Sequence, residues 1–248
     1  MKTMIAFDLD GTLAASKQPL QDDMAATLKA LLDVASVAVI SGGDWPQFDK
    51  QVASRLPEGT KLERLFLMPT TGSKLYRHRD GQWTRIYAED FSRDEHDHIL
   101  QALQKAVKAC GYDQEKTWGQ QIEDRGSQIT FSALGQEAPL DAKEKWDPDQ
   151  KKRGAMQAII EKELPGLSVK VGGSTSIDIT REGVDKAWAI GKLCEHSGVA
   201  RDEILFMGDA IFPGGNDDPV RAAGIDSIKV RDPAETITAI TAVVACLK

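Results

Sequence analysis

Five residues set the chemical question. Asp8 and Asp10 flank Leu9 in Phe7-Asp8-Leu9-Asp10-Gly11-Thr12, directly after the apolar run Met4-Ile5-Ala6-Phe7. Ser41 closes a second apolar run, residues 34–40, with Gly42-Gly43 behind it. Lys186 opens a helical stretch, and Asp209 follows Gly208 and the apolar run 204–207. In an open α/β sheet, ligands gather beyond the carboxyl ends of the strands. Three carboxylates, one hydroxyl and one ammonium are therefore expected at one edge, an inventory suited to phosphoryl transfer. Magnesium takes hard oxygen ligands, borrowing one or two protein carboxylates and the oxygens of a phosphate; Asp8 and Asp209 are the expected protein ligands. Asp8 is then the expected nucleophile, attacking phosphorus to form an aspartyl phosphate. Asp10 lies two residues on, where strand alternation turns it the same way while Leu9 enters the core. It is expected to protonate the leaving oxygen and later to activate the incoming hydroxyl or water. Ser41 and Lys186 would hold the equatorial oxygens as charge builds. Uncatalysed phosphate monoesters react so slowly that enzymes accelerate them by up to ~10²¹-fold. That demand calls for the whole set.

Singly, each of these residues has an ordinary explanation. Asp-Gly is commonly a turn, Ser-Gly-Gly a loop, and a lysine at a helix start a solvated side chain. Their order along the chain, with the aspartates and the serine each delivered by an apolar run, is what makes the pattern specific.

The positioning elements follow from hydrophobic periodicity. The run 4–7, a helix over 22–32, a run at 34–40, a helix over 45–56 and the run 65–68 alternate as strands and helices. That alternation predicts a parallel sheet covered by helices. From residue 82 the character changes: short strands are expected at 83–87, 120–124, 128–133, 168–171 and 176–180, with helices over 96–110 and 151–164. This reads as an α+β module with an antiparallel sheet, its charged stretch 139–149 running along the surface. The final part returns to the first style, with a helix over 185–196 capped by Gly198, strands at 204–207 and 225–230, and a last helix from Pro233. The expected organisation is a core from residues 1–81 and 184–248, interrupted by an inserted domain over 82–183.

Phe7 to Thr12, Ser41, Lys186, Gly208-Asp209 and Asn216-Asp217, in that order, resemble the haloacid dehalogenase superfamily. The insert resembles its class IIB cap. The resemblance implies an α/β fold, a Rossmannoid parallel-sheet core carrying a C2B-type α+β cap, with magnesium as cofactor. It also implies that Asp10 offers the metal its backbone carbonyl and Asp209 its carboxylate. A narrower likeness to eukaryotic-type phosphomannomutases rests on residues 208–217, on Gly172-Gly173 with Ser176-Ile177-Asp178, and on Gly183-Val184-Asp185-Lys186. It places Ser176 and Asp178 on the sugar phosphate, Arg125 at a phosphate-binding arginine position, and Lys17 at another cationic position. Gly42, beside Ser41, joins this substrate-binding set. Gln136 stands where that family has an arginine, and Lys143 matches a further cap arginine. Arginine holds phosphate through a planar fork that neither residue reproduces. A mutase must grip a bisphosphate at both ends, so these departures favour hydrolysis of a sugar phosphate. Interconversion of hexose 1- and 6-phosphates is the alternative; a non-catalytic sugar-phosphate-binding module comes third, opposed by the intact aspartates.

Composition narrows the partners. A formal charge of −7 and pI near 5.2 oppose a sequence-independent nucleic-acid binder but not a small anionic substrate held in a locally cationic site. Cys110, Cys194 and Cys246 form no CxxC pair and suit buried thiols in a reducing compartment. The run after Lys2 stops at Asp8, too short for a leader or a membrane span. The expected partner is a small phosphorylated sugar or metabolite in the cytoplasm, without nucleic acid or membrane; the sequence leaves the oligomeric state open, a homodimer through the cap being one arrangement.

Overall fold

The computed structural model describes residues 1–172 and 174–248, and the side chains of all of these except Leu140. The described chain forms two compact units: Met1–Ala88 with Val184–Lys248, and Glu89–Gly183.

The first unit is built on four short apolar strands, β1 (Met4–Phe7), β2 (Ser36–Ile40), β3 (Leu65–Met68) and β10 (Ile204–Gly208). They carry almost no polar residues because both of their faces are covered, as parallel strands require. Alternation divides the side chains. Ile5, Phe7, Val37, Val39, Leu65, Leu67 and Met207 pack with Leu28 and Leu31 of α1 (Asp22–Val34) and Ile240 of α8 (Pro233–Leu247). Met4, Ala6, Ala38, Ile40, Phe66, Met68 and Phe206 pack with Ala189, Ile190 and Leu193 of α6 (Lys186–Ser197). Each buried Leu, Ile, Phe or Met side chain contributes about 1.5–3 kcal/mol, so the sheet is fixed from both sides.

The full sheet order is β11-β10-β1-β2-β3-β4-β5, with β4 (Lys74–Arg79), β5 (Gln82–Ala88) and β11 (Asp226–Lys229). Strands β11 to β3 run parallel, and β4 and β5 antiparallel. Register decides what happens at the carboxyl edge. Phe7 lies between Val39 and Met207, so Asp8, Ser41 and Asp209 leave three adjacent strands within one or two residues of a common line. Two further helices, α2 (Trp45–Gln51) and α7 (Asp218–Ala222), follow the loops at that edge.

The strand expected at 83–87 forms, but in this sheet and not in the inserted module. Asp80 and Gly81 both take positive φ (51° and 79°), the geometry of a two-residue hairpin turn, and Arg79 pairs with Gln82 across it. The turn commits β5 to β4, and the two units divide between residues 88 and 89 instead of at 82.

The second unit has a four-stranded antiparallel sheet, β6-β7-β9-β8, from β6 (Ile122–Asp124), β7 (Gln128–Ser132), β8 (Leu167–Val171) and β9 (Ser176–Arg181). Helices α3 (Arg93–Ala109) and α5 (Lys151–Glu163) supply Ile99, Leu103, Met156 and Ile160 to its core with Ile129, Phe131, Ile177 and Ile179. Ser92 and Glu95 form a reciprocal cap at the start of α3. The charged stretch 139–149 is mostly exposed, as its charges suggested, but it turns inward near its end. Helix α4 (Leu140–Trp146) lies in this stretch, Trp146 is buried, and Asp147 and Arg153 pair in the interior at 2.8 Å. Arg153 also donates to the carbonyls of Asp147 and Gly172, and Asp147 accepts from the amides of Lys152 and Arg153. A charge is tolerated inside when every one of its hydrogen-bonding sites is used. Gly173, part of the Gly172-Gly173 motif, lies outside the described residues.

Candidate active site

The β1 edge turns abruptly after Phe7. Leu9 is fully buried, and its carbonyl accepts from the amides of Leu13 and Ala14, curling the loop back on itself. Gly11 sits at φ +90° with its Cα against Asp209; a Cβ there would lie 2.5 Å from Asp209 Oδ2. Only glycine fits that approach. Thr12, also buried, accepts from the Asp209 amide at 3.0 Å and donates to its carboxylate at 3.4 Å. The first and fourth strand ends are thereby tied together.

Asp8 is 4% exposed and accepts a 2.5 Å hydrogen bond from Lys186 Nζ. The same ammonium, 1% exposed, donates at 2.5 Å to Asp217, whose other oxygen accepts from the Ala210 amide. Lys186 is the first residue of α6, and Asp185 caps that helix by accepting from the Trp188 amide at 2.8 Å. The helix start thus fixes where the lysine stem enters. Burial pushes the Asp8 carboxyl up to about 6; the Lys186 ammonium opposes the rise and the Asp217 carboxylate adds to it.

Carboxylate oxygens of Asp8, Asp209 and Asp217 all lie within 4.8 Å of one another. Three such charges against the one ammonium leave two negative charges, the value a single divalent cation neutralises. An all-oxygen donor set of this kind fits a hard cation such as magnesium. The Asp10 carboxylate is not part of this cluster. It accepts instead from the Lys17 amide at 2.7 Å, Gln47 Nε2 at 3.2 Å and Gln51 Nε2 at 3.3 Å.

Ser41 is buried, its carbonyl accepting from the Thr71 amide while the Gly43 carbonyl accepts from that of Thr70. Both threonines have positive φ, 49° and 57°, an uncommon backbone for β-branched residues that holds this second loop against the first unit's edge. Gly42 is half-buried in the same loop. Lys17 contributes its backbone amide to Asp10 and is exposed.

The remaining expected substrate residues lie in the second unit. Ser176 and Asp178 share one face of β9, and Asp178 accepts from Thr130 on the neighbouring strand at 2.6 Å. Arg125 forms a two-pronged pair with Glu123 at 2.9 Å for each prong. Lys143 donates to the Gln136 carbonyl at 2.9 Å. Gln47, Gln51 and Thr12 were given no role by sequence reasoning, and Asp217 entered it only as part of the Asn216-Asp217 motif. The signal for the glutamines is modest: two amides four residues apart lie on one helix face just after the Ser-Gly-Gly loop.

Comparison with known proteins gives the family. A sequence model of haloacid dehalogenase-like hydrolases matches residues 5–212. The phosphomannomutase of Schizosaccharomyces pombe is 27% identical over 226 residues, covering 87% of this chain and 84% of that protein. Phosphomannomutase 1 of Homo sapiens is 26% identical over 228 residues, covering 87% and 82%. Among solved structures, an N-terminally truncated IMP-nucleotidase of Plasmodium falciparum superposes with a TM-score of 0.69 at 15% identity, over 100% of this chain and 71% of that one, a likeness of fold. The sequence relatives favour the interconversion alternative over the hydrolysis that Gln136 and Lys143 suggested. The match over residues 5–212 takes in the strand ends that carry Asp8, Ser41 and Asp209 and the helix start that carries Lys186, and the chain belongs to the haloacid dehalogenase-like hydrolase family, as an enzyme of phosphoryl transfer.

Proposed function

We propose that this protein is a magnesium-dependent phosphohexomutase, moving a phosphoryl group between the 1- and 6-positions of a hexose through an aspartyl phosphate on Asp8. The observation that carries the reading is the buried Asp8–Lys186–Asp217 chain beside Asp209, with Asp10 held apart by its own donors, in a chain similar over most of its length to phosphomannomutases. Magnesium, bound by Asp8, Asp209 and the Asp10 carbonyl with Asp217 nearby, would offset the repulsion between carboxylate and phosphate. Asp8 attacks phosphorus as the ester P–O bond breaks, and Asp10 gives its proton to the departing oxygen. In the return step Asp10 takes the proton of an incoming hydroxyl, which attacks phosphorus as the Asp8–P bond breaks. Lys186 and Ser41 hold the non-bridging oxygens, while Ser176, Asp178, Arg125, Lys143, Lys17 and Gly42 contact the sugar phosphate.

A second reading is hydrolysis of a sugar phosphate. It is favoured by Lys143, whose ammonium is tied to a backbone carbonyl, and by Gln136, both at positions where a guanidinium fork would grip the distal phosphate. One assay separates the two. Protein with magnesium and mannose or glucose 1-phosphate is followed for hexose 6-phosphate and inorganic phosphate, with and without hexose 1,6-bisphosphate. Hexose 6-phosphate dependent on the bisphosphate supports the mutase; free phosphate without the activator supports the hydrolase. No turnover of either kind, or full turnover by Asp8→Asn, overturns both.

A further inference from the structure

Asp10 is given an environment that Asp8 lacks. Its Oδ1 accepts two hydrogen bonds, from the Lys17 amide and from Gln51 Nε2, and its Oδ2 accepts one, from Gln47 Nε2. Gln51 is 1% exposed and its amide cannot turn around. Nε2 also donates to the Gln18 carbonyl at 2.6 Å, so a flip would set Oε1 against two acceptors. The present orientation leaves Oε1 buried without a partner, a cost ordinarily avoided. The Gln51 carbonyl meanwhile accepts from the Leu20 amide, locking the end of α2 to the segment that follows the Asp8 loop. Gln47, one turn earlier on α2, reaches Oδ2 across Gly43. A Cβ on Gly43 would overlap the Gln47 side-chain amide, so the glycine leaves the space that this amide occupies.

We infer that Gln47 and Gln51 are positioning residues for proton transfer by Asp10. Two glutamine amides and one backbone amide fix the plane of its carboxylate. A carboxylate offers about four lone-pair directions; three are taken, and the one left open is on Oδ2. That oxygen carries the proton to the ester oxygen and receives it from the incoming hydroxyl. The inference rests on the reading of Asp10 as acid and base given above.

The test uses leaving groups of different need. A hexose phosphate leaves as an alkoxide and requires the proton; p-nitrophenyl phosphate leaves as a stable phenolate and does not. With magnesium bound and hexose 1,6-bisphosphate as the hexose phosphate, kcat/KM for transfer to Asp8 reports the first transfer for both substrates, and general-acid help is worth about 10²–10⁴-fold. Gln47→Met and Gln51→Met keep side-chain bulk and remove the donor. Each is expected to lower kcat/KM on the hexose phosphate about 10- to 100-fold, a fraction of that general-acid range, while leaving the p-nitrophenyl ester nearly unchanged. Equal losses on both substrates, or none on either, would overturn the inference. Gln47 is half-buried, so its variant carries the test if the Gln51 variant does not fold. Asp10→Asn in parallel separates the two levels. If it shows the split and the glutamine variants do not, only this inference fails; if it shows no split, the role of Asp10 fails and takes this inference with it.

Discussion

Replacing Lys186 by methionine removes, among the described residues, the only positive charge in the buried groups that contact Asp8 and Asp217. In a chelated sample, Asp8, Asp209 and Asp217 are then gathered within 4.8 Å without a counter-charge. Breaking a buried ion pair by deleting one partner costs about 3–5 kcal/mol. Protonation limits the share of Asp8. Holding a proton at pH 7.5 on a carboxyl of ordinary value 3.8 costs about 5 kcal/mol at 1.36 kcal/mol per unit, and the rise to about 6 already takes about 3 of these. At roughly 2–4 °C per kcal/mol for a unit of this size, Tm should drop by about 6–20 °C in chelator. Magnesium at 100 times its Kd returns about 2.7 kcal/mol, so most of the loss should vanish when the ion is added. Scanning calorimetry of wild type and Lys186→Met, each with chelator and with magnesium, measures all four values. A chelated variant melting within 2 °C of wild type would refute the electrostatic account of this cluster. Its turnover should remain at least about 100-fold down even when magnesium restores the fold.

Gly11→Ala places a Cβ 2.5 Å from Asp209 Oδ2 at φ +90°; we expect weaker magnesium binding by at least about tenfold in calorimetric titration, with the fold kept. Arg153→Met should destabilise the second unit by about 3–5 kcal/mol because Asp147 is left charged and buried, whereas Arg153→Met with Asp147→Leu should recover much of it; chemical denaturation compares them. The two units should respond oppositely to acid. Asp8 has a raised folded value, so the chelated first unit gains stability as pH falls from about 6 towards 3.8, where the folded carboxyl takes up a proton that the unfolded one does not yet bind. Glu95 is held near 2, first by the hydrogen bonds of Arg181, so its contribution is complete above 4.5 and is lost as pH falls towards about 2. Glu95 is about a third exposed and the pair is screened, so Glu95→Gln should flatten only a small acid slope, read by hydrogen exchange of α3.

What was legible in the sequence is what short-range chemistry dictates. The apolar runs 4–7, 34–40 and 204–207, halted by Asp, Ser and Gly, read as buried parallel strands delivering their reactive ends to one edge. From those strand ends came Asp8, Asp10, Ser41 and Asp209, the α/β class and the magnesium expectation, and from the opening of a helical stretch came Lys186. The structure places Asp8, Lys186 and Asp209 about one cluster with Asp217. What the sequence did not reveal depends on partners distant along the chain. Asp80-Gly81 is a turn signal, but whether β5 serves one sheet or the other depends on a neighbour that only register supplies. Asp147 and Arg153 look as solvated as the exposed charges around them until the chain brings Gly172 to Arg153 and closes its hydrogen bonds. Gln47 and Gln51 are unremarkable polar residues on a short helix until α2 docks beneath the Asp8 loop and turns their amides onto Asp10. Residue type and spacing determine which groups can do chemistry, because strand alternation and backbone sterics are local. Which donor faces which carboxylate is decided by tertiary packing, because a hydrogen bond exists only where two distant segments arrive within about 3 Å of each other.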